Sequence, residues 1–328
     1  MTGALLIILL TCAFLGAILL LLPRLSPRRY FFAITVPPEF RESDAARAAV
    51  RRYRVRVGAA TAAALAAAWF AMAAGNAVSA AFAPMIPVVA GLAAFLLERA
   101  KVRRIAPRPA VVPVEAQPAP GGEGLPRWTI LGAGPFLLPV ATALYLRAHW
   151  DEIPDSFPVH WGANGEPNGW AAKTFRGVYG APLFGAGLLV LIAILGLAMY
   201  YGSRHGPVRR PMLAMLIGVM YLIGLAFSSV GLMPLVHIPA AVLLIPFAAF
   251  LVFLLAWSRR AGGDATGEAT PDECWILGGI YYNRNDPALF VQKRFGVGYT
   301  VNFGNRRSWV LLGVLAGGIA ALVVGLLW

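Results

Sequence analysis

Apolar runs of about 20 residues, long enough to span roughly 30 Å of hydrocarbon, recur along this chain between short basic or turn-rich stretches. Eight stand out, at 3–22, 57–74, 80–97, 128–146, 178–201, 211–231, 238–257 and 309–328. Inside lipid a spanning segment must satisfy its own backbone polar groups, so each run predicts a helix. The second and third are separated only by 75–79 and predict a helical hairpin.

Three polar stretches interrupt this pattern. The first, 23–56, ends in a segment of helical period at 42–57. There Ala46, Val50, Tyr53 and Val57 share a face, and Arg47, Arg51 and Arg54 form the adjoining stripe. Ser43 or Asp44 is the expected N-cap. This reads as a juxtamembrane helix whose arginines reach back to lipid phosphates; docking of an acidic cytosolic regulator is the other reading. The second stretch, 105–126, carries six prolines and predicts a linker between a three-span part (1–104) and the rest. The third, 258–307, mixes aromatic and β-branched residues with Gly and Asn-Asp-Pro punctuation. It predicts short strands and turns, with too few apolar residues for a core of its own, so it should lie against the membrane face as a cap. Between linker and cap, 127–257 forms a four-helix part with a polar loop at 148–177, and 308–328 is the final helix.

Composition agrees: 59% of residues are hydrophobic, 13% are charged, and mean hydropathy is +0.69. Soluble domains carry about 25% charged residues. The fold class is therefore an all-α polytopic membrane protein with about eight transmembrane helices and a small strand-rich cytoplasmic cap.

Lysine and arginine set the orientation, because cytoplasmic loops carry them in excess. The stretches 23–56, 98–127, 202–210 and 258–308 hold 25 of the 28; Arg147, Lys173 and Arg176 are the remaining three. Both termini and the 148–177 loop are then expected outside the cytoplasm of a bacterial inner membrane. The net charge of +13 follows from this topology and from anionic inner-leaflet lipids as partners, with no need for nucleic acid. Cys12 falls within a span and Cys274 in the cap, so no disulfide is expected.

Ionisable residues inside spans mark relays and intramembrane catalysis, and none occupies the middle of these eight. No H-E-x-x-H, Walker loop or C-x-x-C pair occurs. The expectation is a protein that is not an enzyme, with neither cofactor nor metal. A metal-dependent hydrolase on the outer face would require His149, His160 and His237 to converge. In 155–173, Phe157, Val159 and Trp161 alternate on one face with Pro158 and His160 on the other, and Asn164-Gly165 and Asn168-Gly169 are turn signals. Trp150, Trp161 and Trp170 suit the headgroup zone. Gly313-x-x-x-Gly317 offers a close-packing face, internal or between two copies in a homodimer.

The pattern D-x-x-P-x-H-W-x-x-x-G-x-P-x-x-W-x-x-K at 155–173 resembles domain-of-unknown-function family 1648, a module also present in SdpI-like bacterial immunity proteins. W-I-L-G-G-I-Y-Y-N and K-R-F-G-V-G-Y-T-V-N-F, within 275–303, look like domain-of-unknown-function family 5808. The three-helix module expected after the first motif in SdpI-like proteins is not recognisable here. The resemblance implies a non-enzymatic receptor or immunity-like membrane protein reading an extracytoplasmic peptide or signal. The expected ligand-binding residues are His160, Trp161, Gly165, Glu166, Pro167, Trp170 and Lys173. The alternative is a transporter or transport accessory for an apolar or peptidic substrate, with Ser228, Ser229, Thr142 and Asn76 lining a cavity.

Overall fold

A computed structural model describes residues 3–107, 124–161, 167–203, 209–236, 246, 248–250, 252, 270–296 and 298–327. Seven helical stretches among them are long and apolar enough to cross a membrane. The expected eighth, 238–257, lies outside the described residues except for 246, 248–250 and 252, which are helical.

The helices pack in two groups. The first holds α1 (Gly3–Leu25), α2 (Asp44–Ala73), the short α3 (Ala77–Phe82) and α4 (Met85–Ile105). The second holds α5 (Gly134–Ala148), α6 (Phe175–Gly202), α7 (Arg209–Leu232) and α8 (Arg306–Leu327). Small residues let the helices approach closely: an added Cβ at Gly16 of α1 would meet Thr61 of α2, and one at Gly185 of α6 would meet Phe227 of α7. Gly313 and Gly317 of α8 have no neighbour within 4 Å among the described residues.

The expected juxtamembrane helix is not a separate element. With no breaking residue between the basic stretch and the second apolar run, α2 continues through both for 30 residues. Ser43 caps it, its hydroxyl accepting from the Ala46 N–H at 3.2 Å. Ala46, Tyr53 and Val57 are buried, and half-buried Val50 packs beside them. The expected 75–79 turn is shorter, because Asn76 caps α3 by accepting from the Ser79 N–H.

At the basic end, the Glu98 carboxylate of α4 is fully buried against α2. Arg52 reaches it at 2.7 Å and Arg56 at 2.6 Å, with Lys101 at 3.8 Å. Spaced four apart, Arg52 and Arg56 share one face of α2. That face seals the carboxylate from water.

Among the described residues, eight short strands pair as four antiparallel hairpins. β1 (Tyr30–Phe31) and β2 (Ile34–Thr35) turn through Phe32 and Ala33, with φ of 46° and 59°. A two-residue turn with both central residues at positive φ is type I′, which favours Asn-Gly. Two side-chain-bearing residues hold it here because Arg99 donates to both carbonyls, at 3.2 and 2.7 Å. Phe32 also packs among Tyr53, Phe95 and Phe295.

The cap comprises β5 (Trp275–Ile276), β6 (Ile280–Tyr281), β7 (Phe290–Gln292) and β8 (Tyr299–Val301). It does have a small core: Trp275, Tyr281, Ala288 and Val291 are buried together. Polar satisfaction makes this possible with so few apolar residues. Buried Asn302 donates to the carbonyls of Asn283, Asp286 and Ala288 and accepts from the N–H of Asn283 and Gly304. A Cβ at Gly304 would lie 2.5 Å from the Asn283 backbone, so only glycine permits that approach.

The cap holds both helix groups. Between β7 and β8 its tip inserts Arg294 and Phe295 into the first group. Phe295 packs tilted against Phe95 with ring centroids 4.4 Å apart. Fully buried Arg294 pairs with Asp272, donates to the Thr270 carbonyl, and lies over the rings of Tyr30 and Trp275. The Thr35 hydroxyl donates to Asp272 at 2.7 Å. In the second group, Leu289 N–H donates to the Gly202 carbonyl at 2.7 Å, and Phe290 bridges Ser203 at the end of α6.

Two outcomes test these contacts. Removing Arg52 and Arg56 together takes both hydrogen-bonded partners from a buried carboxylate and leaves it only the Lys101 ammonium at 3.8 Å. Glu98→Gln instead frees two guanidiniums that are each more than a third exposed. The double alanine variant should lose about 3–5 kcal/mol and Glu98→Gln clearly less, read from melting curves in detergent; the reverse order would refute the pairing. The second outcome concerns Asp272. Burial pushes its carboxyl upward, but the Arg294 guanidinium, the Thr35 hydroxyl and Arg99 outweigh this and hold it below its ordinary 3.8. A depressed folded value contributes stability that is present above the unfolded value and lost as pH falls through the folded one. Pepsin should therefore nick 270–305 only below about pH 4 in the parent, and at every pH where pepsin is active in Asp272→Asn.

Candidate functional site

The polar loop folds as a hairpin of β3 (Ser156–Trp161) and β4 (Pro167–Ala172) at the opposite end from the cap. Its base is closed by Lys173 N–H donating to the Asp155 carbonyl at 2.8 Å. Phe157 is buried with Leu146, Ile153 and Val178, and Leu235 packs onto them from the end of α7. One apolar face of the hairpin thus seats on the ends of α5, α6 and α7.

Strict alternation does not hold along β3. Phe157 pairs with Ala171 and Pro158 with Trp170, but the next pair is His160 with Gly169, so Val159 is an extra residue. This bulge turns Val159 outward, to 43% exposure, instead of onto the face of Phe157. Proline at 158, which cannot donate to a ladder, sits beside the irregularity. Pairing places the backbones of His160 and Trp161 opposite Gly169 and Pro167. Their side chains, and Gly165, Glu166 and His237, lie outside the described residues. Pro167 and Trp170 are exposed, Trp170 at 61%.

β4 runs directly into α6. Thr174 caps the helix, its hydroxyl accepting from Gly177 N–H at 3.1 Å. A Cβ at Gly177 would fall 2.1 Å from the Ala172 carbonyl oxygen, so glycine is what lets the first turn of α6 tuck under the strand. Lys173 lies between the two, its ammonium 5.7 Å from the Trp150 ring centre. Trp150 in turn stacks on Tyr179.

Below this aromatic shelf, an apolar groove of about 700 Å³ runs between α5 and α6. Val140, Leu144, Phe175 and Leu183 line it, and Arg147 and Trp150 also contribute. Sequence reading singled out Lys173 but used Arg147 only as a charge to be counted. The available signal was its position in the last turn of α5, facing the same loop.

His149 is tied to its own helix: its Nδ1 donates to the Tyr145 carbonyl at 2.9 Å, and its ring stacks on Tyr145. No group of three metal-ligating residues occurs among the described residues. Of the four polar residues proposed for a transport cavity, Asn76 stands apart, on the first helix group. Thr142 packs beside Gly231 and Pro182, Ser228 and Ser229 are buried in α7, and Asn76 is exposed at the α2–α3 turn.

Residues 137–186 match the model of a domain of unknown function (DUF1648), and residues 284–309 match that of a family of unknown function (DUF5808). The first match spans most of α5, the hairpin and the first part of α6; the second spans the later part of the cap and the start of α8. No curated protein and no solved structure matches the chain.

Gly177→Ala should therefore unseat the hairpin. A disulfide engineered between positions 157 and 171, which face each other across the ladder, should form readily in the parent and several-fold more slowly in Gly177→Ala. Equal rates would remove the steric role assigned to Gly177.

Proposed function

We propose that this is a non-enzymatic, receptor-like protein of the bacterial inner membrane that reads an extracytoplasmic apolar peptide. In this reading the motif hairpin and the groove beneath it receive the ligand, and α6 conveys occupancy to a cytoplasmic cap. The observation that carries it is α6 itself. This single 28-residue helix, about 42 Å long, is gripped by the hairpin at Thr174 and Gly177 and by the cap at Gly202 and Ser203. The two family-like modules thus sit at the two ends of one rigid element. A helix held at both ends transmits a displacement, because packed interfaces are bistable and do not deform continuously.

Ligand chemistry follows from the lining. The groove is apolar and opens sideways between two spanning helices, which suits a molecule that partitions into the bilayer before it binds. Arg147 and Lys173 at the hairpin end favour an anionic terminus, such as a free peptide carboxylate. His160, Trp161, Gly165, Glu166, Pro167 and Trp170 would then contact the part of the ligand that stays in water. The SdpI-like association of the motif supports an immunity role in which the captured peptide is one that attacks membranes.

Orientation is part of the same proposal. Leu235 packs at the hairpin end and Thr270 at the cap end. These placements at opposite ends, with the apolar run 238–257 between them in sequence, support eight spans with both termini outside the cytoplasm.

Apolar peptides, each made as the free acid and as the C-terminal amide, can be titrated onto the protein in lipid nanodiscs. The acids should bind about tenfold more tightly, the value of one charge-assisted hydrogen bond, and the preference should vanish in Arg147→Gln/Lys173→Gln. Hydrogen exchange of 270–296 should change on binding in the parent and in Arg147→Gln/Lys173→Gln saturated with peptide, but not in His160→Ala. Indifference to the terminal group, or a cap that does not respond, would sink the reading.

A further inference from the structure

The arginines of α2 are sorted onto opposite faces. Arg52 and Arg56 turn inward and spend their charge on Glu98. Arg47, Arg51 and Arg54, at spacings of four and three, turn the other way, into a cavity of about 470 Å³ bounded by α1, α2 and the stretch before α2. Arg24 enters it from the end of α1, and Arg41 forms a further wall.

These guanidiniums are not equivalent. Arg41 is structural: it donates to the carbonyls of Arg28 at 2.9 Å, Pro27 at 3.0 Å and Tyr30, and lies over the Phe31 ring. Arg47 pairs with exposed Asp44. No carboxylate lies within ion-pair distance of Arg24, Arg51 or Arg54 among the described residues. Three positive charges thus converge on one concave surface with two more as its frame, and Asp44 is the one acid paired at its edge. An arrangement that packs like charges together requires an anion to offset them.

The setting identifies that anion. Arg24 follows directly on the apolar run of α1, so the cavity sits where hydrocarbon gives way to headgroups. Its floor is apolar, made by Phe31, Ala46 and Val50, and Val55, 65% exposed, forms the side toward the bilayer. A soluble anion would gain nothing from such a floor, whereas a lipid buries glycerol and acyl carbons on it. One phosphodiester carries a single charge and would leave most of the arginine charge unopposed. We infer that this cavity is a binding site for an anionic phospholipid whose headgroup carries two phosphates, held by Arg24, Arg51 and Arg54. The site lies on the first helix group, away from the groove between α5 and α6, and its occupancy does not depend on the receptor reading.

Native mass spectrometry of the full-length protein tests this with cardiolipin, phosphatidylglycerol, phosphatidylethanolamine and inorganic pyrophosphate as separate probes. One cardiolipin per chain should be retained. Its affinity should fall at least tenfold in Arg51→Gln/Arg54→Gln and stay unchanged in Arg103→Gln/Arg104→Gln, which alters basic residues outside the cavity. If the double variant fails to fold, exposed Arg24→Gln gives the same readout with a smaller drop. Equal retention of phosphatidylglycerol or phosphatidylethanolamine, or no loss in the cavity variants, overturns the site. Pyrophosphate binding as tightly as cardiolipin assigns it to a free anion and overturns the lipid.

Discussion

A buried guanidinium is the constraint around which the basic end of this molecule is organised. Arg294 is only 1% exposed, and a charge taken that far from water is tolerable only if every contact around it is polar or π-rich. The contacts come from three separate places: Asp272 and Thr270 from the lead into the cap, Trp275 from its first strand, and Tyr30 and Ala33 from the hairpin after α1. None of these groups could satisfy Arg294 alone. The cap therefore has one seating, and that seating also delivers Phe295 into the aromatic cluster of the first helix group.

A neighbouring arginine extends the same logic. Arg99 of α4 holds the Phe32 and Ala33 carbonyls, and a Cβ on Gly278 would come within 2.7 Å of its guanidinium. Two hairpin tips, one from each end of the chain, thus close over one side chain. Together with the grip of Leu289 and Phe290 on α6, this makes the cap a joint between helix groups that share few direct contacts among the described residues. A receptor that moves α6 against a fixed first group would move it about this joint.

Much of this architecture was legible in the residues, and the gaps have physical causes. Spans were readable because lipid demands about 20 apolar residues whatever their neighbours, and the Tyr53 face of α2 because a 3.6-residue period is local. The extended piece at 157–161 was readable from its alternation, but Asn168-Gly169, expected as a turn, lies within β4, and the outward turn of Val159 was not readable, since a bulge depends on which partner residue pairs across the ladder. Glu98 and Arg294 look like surface charges in sequence; only tertiary placement shows them buried. The same is true of Phe32-Ala33, where no glycine or asparagine announces a left-handed turn. Of the seven motif residues expected to bind ligand, Lys173 has a described place beside the groove, and Arg147 joins it from a helix read only as a span.

That left-handed turn has a consequence for biosynthesis. A two-residue turn through Phe and Ala costs on the order of 1–3 kcal/mol per strained residue, so the segment has little reason to adopt it alone. Its supports are Arg99 and the cap tip, and Arg294 lies 261 residues downstream of Ala33. At ribosomal speeds of about 5–20 residues per second, the loop waits roughly 13–50 s before its last support exists. Until then Phe32 and Phe95 lack the Phe295 ring that packs on both in the finished fold. The basic face of the nascent chain is thus finished only when the cap has been made and has docked.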